Sequence, residues 1–66
     1  MKITLNGQDK EFSDSQNLND IISQFCKDAQ RVIAEVNGEI VRGPQWTDTE
    51  IKDGDAIELV NFVGGG

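Results

Sequence analysis

The stretch Ala56–Gly66, AIELVNFVGGG, is the part of the chain from which the rest can be read. Its first seven residues alternate as a strand does, with Ile57 and Leu59 on one face and Glu58, Val60 and Phe62 on the other. Glycine has no Cβ, so Gly64, Gly65 and Gly66 can run down a channel too narrow for a side chain and carry a bare carboxylate to its bottom. Fully extended, the residues from Val63 onward reach roughly 13–14 Å, far enough to pass from a protein surface into a buried active site. Gly66 is therefore the candidate reactive residue. The expected division is a folded domain over 1–62 and a glycine tail over 63–66.

Working outward, the strand needs a sheet, and the preceding sequence supplies one. Lys2–Leu5 alternates with Ile3 and Leu5 inward, Asn6-Gly7 offers the positive φ angles of a two-residue hairpin turn, and Lys10–Phe12 returns with Phe12 inward. Asn17 followed by Asp20 reads as a helix N-cap with a carboxylate in the first turn. Leu18, Ile21, Ile22 and Phe25 then fall at i, i+3, i+4 and i+7, one apolar stripe of a helix whose Asp20, Ser23, Gln24 and Lys27 face solvent. Arg31–Val36 places Val32, Ala34 and Val36 on one face, and Asn37-Gly38 turns into the short strand Glu39–Val41. Gly43-Pro44 opens a single helical turn over Pro44–Thr47 that tucks Trp46 against the core, and Asp53-Gly54 turns into the last strand. The order predicts an α+β fold of the β-grasp type: a mixed sheet of four to five strands, the last parallel to the first at its centre, with one helix across one face.

Composition narrows the function. With 66 residues and 36% apolar content the chain is a small globular domain with little room for a cleft. No apolar run exceeds three residues, which argues against a membrane span or a secretory signal. The single cysteine, Cys26, forms no internal disulfide, and a cytoplasmic location is expected. A net charge of −6 repels nucleic acid and favours a partner with a basic docking surface, although the same acidity can simply keep a small protein in solution.

Autonomous catalysis has no residues to run on. There is no histidine, no paired nucleophile and base, and no cluster for zinc. Asp53 and Asp55 flank a glycine, and a hairpin corner explains them better than a metal site does. Gly64–Gly66 is no phosphate loop, since no helix follows it. Cys26 at the margin of the helix stripe reads as a packing residue rather than a relay thiol, and Trp46 as core rather than an interface anchor. Val60 and Phe62, open-face apolar residues just upstream of the glycines, read either as a docking patch or as ordinary exposed residues. A docking patch has a physical reason to exist. Ordering a three- or four-residue tail loses roughly 1–2 kcal/mol per residue in backbone entropy, and a folded surface must offset that.

The chain resembles the ubiquitin-like sulfur carrier proteins, above all the ThiS family of thiamine biosynthesis. The resemblance rests on Met1–Gly7 (MKITLNG), Val36–Val41 (VNGEIV), Gln45-Trp46, Lys52–Asp55 (KDGD) and Phe62–Gly66 (FVGGG). It implies that Gly66 is adenylated by a ThiF-like enzyme using ATP and Mg²⁺, and then converted to a thiocarboxylate by sulfur from a cysteine desulfurase relay. That sulfur is given up to a ThiG-like thiazole synthase. It further implies that the tail, Val63, Gly64 and Gly65, threads into the partners' active sites, and Val60 and Phe62, read from alternation, are the candidate docking surface. The carrier itself would be a co-substrate, not an enzyme, with no bound cofactor, no metal and a monomeric free state. Two readings compete: a carrier like the small subunit of molybdopterin synthase, and a ubiquitin-like module that docks without covalent chemistry.

Overall fold

The computed structural model describes residues 1–61. Five strands, β1 (Lys2–Leu5), β2 (Gln8–Glu11), β3 (Val32–Val36), β4 (Glu39–Val41) and β5 (Ala56–Asn61), form one sheet in the spatial order β2-β1-β5-β3-β4. The last strand thus lies at the centre, parallel to β1 and antiparallel to β3. The helix α1 (Leu18–Phe25) connects the two hairpins and covers one face.

Local chemistry accounts for these elements. Both hairpins close with two residues at positive φ, Asn6 at 50° and Gly7 at 81°, then Asn37 at 52° and Gly38 at 86°. These left-handed pairs match the twist of the strands they join, and asparagine and glycine tolerate them. At the start of α1 the Asp20 N–H donates to Asn17 Oδ1 at 2.8 Å and the Asn17 N–H donates to Asp20 Oδ2 at 3.0 Å. This reciprocal capping box satisfies donors that a helix end leaves open and stabilises it by about 1 kcal/mol.

The core is one cluster. Leu18, Ile21 and Ile22 of α1 are fully buried against Ile3, Leu5, Ala34, Ile57 and Leu59 of the sheet. Each fully buried leucine or isoleucine among them contributes about 1.5–3 kcal/mol. Trp46, in a 3₁₀ helix over Gly43–Asp48, closes one end of the cluster, and its indole N–H donates to Val41 O at 2.8 Å. Ile51 closes another part. The Leu18 N–H donates to Thr49 O at 2.8 Å and the Ile51 N–H to Gln16 O at 2.9 Å, which straps Thr49–Ile51 to the segment before α1.

Several boundaries differ from the sequence expectation. β2 spans Gln8–Glu11 instead of Lys10–Phe12, because a two-residue turn pairs Leu5 with Gln8 at once; Phe12 follows the strand and packs half-buried on the core. β3 begins at Val32, since Arg31 completes a 3₁₀ turn over Ala29–Arg31. Phe25 does not finish the buried stripe: it is the last helical residue, 43% exposed, with Lys10 Nζ 5.4 Å from its ring centroid.

Candidate functional site at the exit of the central strand

β5 presents two different faces. Ile57 and Leu59 point into the core, whereas Val60 is 54% exposed on the face without the helix. Antiparallel register sets Ile33 opposite Val60 and Glu35 opposite Glu58, and β4 adds Ile40 opposite Glu35. Residues directly opposite share a face. Ile33, Ile40 and Val60 therefore form an exposed apolar set around two glutamates. The alternation of Arg31–Val36 already put Ile33 opposite in parity to Ala34, but only the register brings it to Val60.

Asparagine side chains hold both ends of this strand. At its start the Ala56 N–H donates to Asn37 Oδ1 at 2.9 Å, and Asn37 Nδ2 donates to Asp55 Oδ1 at 3.0 Å. Nearer its exit the Leu59 N–H donates to Asn6 Oδ1 at 2.8 Å, and Asn6 Nδ2 donates to Leu59 O at 3.2 Å. Neither amide is visible to periodicity. Both are hairpin residues in sequence, and their second use exists only once the sheet is assembled.

Other candidates resolve into structural roles. Asp53 Oδ1 accepts the Lys2 N–H at 2.7 Å and so ties the turn to β1, and Asp55 Oδ2 accepts the Lys52 N–H at 2.8 Å within the turn. Among the described residues no three His, Cys, Asp or Glu side chains are grouped to hold a metal. Cys26 caps the C-terminus of α1, with its N–H donating to Ile22 O, and packs on the core; burial pushes its thiol pKa up. No helix among the described residues is long and apolar enough to cross a membrane. The expectations for Phe62, Val63, Gly64, Gly65 and Gly66 lie outside the described residues.

A mixed sheet with its last strand central and parallel to its first, covered by one helix, defines a ubiquitin-like β-grasp domain. The fold matches the crystal structure of the thiamine biosynthesis protein ThiS from Geobacter metallireducens, with a TM-score of 0.85 at 35% identity over 100% of both chains. The ThiS family model matches residues 3–66. Among curated relatives, the sulfur carrier protein ThiS of Bacillus subtilis is 35% identical over 97% of this chain and 98% of its own length. A thiazole synthase of Paramagnetospirillum magneticum is 35% identical over the whole chain, which spans 20% of that protein. The chain belongs to the ThiS family, the sulfur carrier proteins of thiamine biosynthesis.

Proposed function

We propose that Gly66 is the residue on which the sulfur travels, and that the protein is a co-substrate rather than an enzyme. A terminal carboxylate with a pKa near 3.5 is ionised at neutral pH and a poor electrophile. Attack on ATP by that carboxylate, in a ThiF-like partner that holds ATP and Mg²⁺, gives an acyl-adenylate and pyrophosphate. The outer sulfur of a persulfide on a cysteine desulfurase relay then displaces AMP to give an acyl disulfide, and a second thiol cleaves its S–S bond as the reductant, leaving a thiocarboxylate on Gly66 and a disulfide between the two thiols. Val63, Gly64 and Gly65 thread past the partner's walls, where a β-carbon has no space. Val60 and Phe62 dock the folded domain and offset the entropy of ordering the tail.

The observation that carries this reading is the family match through residue 66, joined to a central strand whose outward Val60 lies just upstream of the glycines. The likeness of the whole chain to a fifth of a thiazole synthase supports a ThiG-like enzyme as acceptor. The cytoplasm, which supplies ATP and keeps Cys26 reduced, is the site of action. Incubation with the adenylating enzyme, ATP and a sulfur source tests the reading by mass spectrometry. The intact chain gains the mass of one oxygen exchanged for one sulfur, and deletion of Gly66 abolishes the gain. An intact chain that gains nothing is a docking module only.

A further inference from the structure

Asn6 does something that a hairpin residue need not do. The parallel β1/β5 ladder advances by the Thr4 N–H donating to Asp55 O at 3.0 Å and the Asn6 N–H donating to Ile57 O at 2.8 Å. Alternate residues of a strand direct their backbone groups to opposite neighbours, so Leu59, like Ile57, turns its N–H and C=O toward β1. The next rung should therefore fall at Leu59. There β1 has run out, because Asn6 has entered the left-handed region at φ 50° to begin the turn. Its carboxamide takes the place of the missing peptide, accepting from the Leu59 N–H at 2.8 Å and donating to Leu59 O at 3.2 Å. Leu59 is buried, so without Asn6 two backbone groups would face a region with no strand to pair them.

We infer that Asn6 is a positioning residue for sulfur loading: its carboxamide fixes Leu59, and so sets the direction in which β5 leaves the sheet toward Gly66. The inference rests on the reading of Gly66 as the reactive residue. A carrier that docks normally but holds the end of β5 loosely seats its terminus less often. Asn37 provides the internal control. It occupies the same kind of turn and also bonds β5, but at Ala56, the end remote from the exit.

The test is carrier-dependent ATP–pyrophosphate exchange by the ThiF-like adenylating enzyme, using full-length Asn6→Gly and Asn37→Gly at a temperature where circular dichroism shows both folded. Glycine adopts both turn conformations without strain, so each variant loses only its side-chain bonds. Asn6→Gly lowers kcat about tenfold, the scale of a small misplacement at a reacting centre, with KM for the carrier held within about twofold. Asn37→Gly leaves kcat unchanged. The inference is overturned if the two variants lose kcat alike, if Asn6→Gly keeps it, or if its loss lies wholly in KM. Should Asn6→Gly not fold, Asn6→Asp keeps the turn and the acceptor while removing the donor, and the same outcomes apply. A wild-type chain that gains no sulfur sinks the Gly66 reading. A wild-type chain that gains sulfur, matched in kcat by Asn6→Gly, sinks only this one.

Discussion

Glu35 and Glu58 stand directly opposite each other on β3 and β5, on the face of the sheet that carries no helix. The ion pairs among the described residues, Lys2 with Asp9 and Arg31 with Asp28, leave both glutamates without a cation. Like charges opposed across strands destabilise a sheet by an amount of the order of 0.2–1 kcal/mol. The isolated domain gains nothing from that arrangement. On a face that meets a basic partner surface the same two carboxylates attract; Ile40 lies beside Glu35 in their own cross-strand row, and the Ile33–Val60 pair forms the next row on that face.

Removing one of these charges should therefore separate stability from association. Glu35→Gln keeps the shape of the side chain and ends the repulsion, and should raise Tm by about 1–4 °C at low salt, the shift that a few tenths of a kcal/mol gives a domain of this size. The gain should shrink in 1 M salt, where the Debye length is only about 3 Å. Association with the proposed adenylating partner should slow at low salt. Thermal melts at the two salt concentrations check the first part and stopped-flow binding the second. A melt that is unchanged or lower at low salt contradicts the account of the pair.

Val60 tests the proposed docking face at its apolar part. The side chain is 54% exposed on the face without the helix, so Val60→Asp should cost no more than about 1 kcal/mol of folding stability, the span of strand propensities. Affinity for the proposed adenylating partner should fall by about 1–3 kcal/mol if Val60 is buried in the complex, as truncation of a contact residue typically shows. Urea denaturation and titration calorimetry read the two quantities separately. Lost stability with unchanged affinity would return Val60 to a structural role.

The sequence was legible where one local rule decided the outcome. Two Asn-Gly turns, the Asn17/Asp20 cap and the Leu18, Ile21, Ile22 stripe all appear in the structure, and with them the central place of β5. It was less legible where an outcome depends on partners far along the chain. Ile51 is a lone apolar residue between charged neighbours, with no period to mark it, and it is buried only because Thr49–Ile51 is strapped to Gln16–Leu18. Phe25 obeys the helical period yet ends half outside, because the helix stops there and Cys26 takes the core position. The exposed apolar patch was half visible. Val60 follows from alternation along one strand, whereas Ile33, Ile40 and the glutamate pair join it through register between strands.

Cys26 gives a pH prediction whose sign follows from its burial. Desolvation disfavours the thiolate, so the native thiol holds its proton more tightly than the unfolded one. Below the ordinary thiol pKa of about 8.5 both states are protonated and the packing of Cys26 contributes in full. As pH rises above that value the unfolded chain releases its proton first, and the contribution is lost as pH climbs toward the raised native pKa. Wild type should therefore lose more stability than Cys26→Ala between pH 7 and pH 10. Alkylation by iodoacetamide should be slow at neutral pH and accelerate only above the range of a free thiol. Urea denaturation of both proteins across this range isolates the cysteine from the other groups that titrate there. Parallel pH profiles, or rapid alkylation at pH 7, would mean that the thiol is not held by the core.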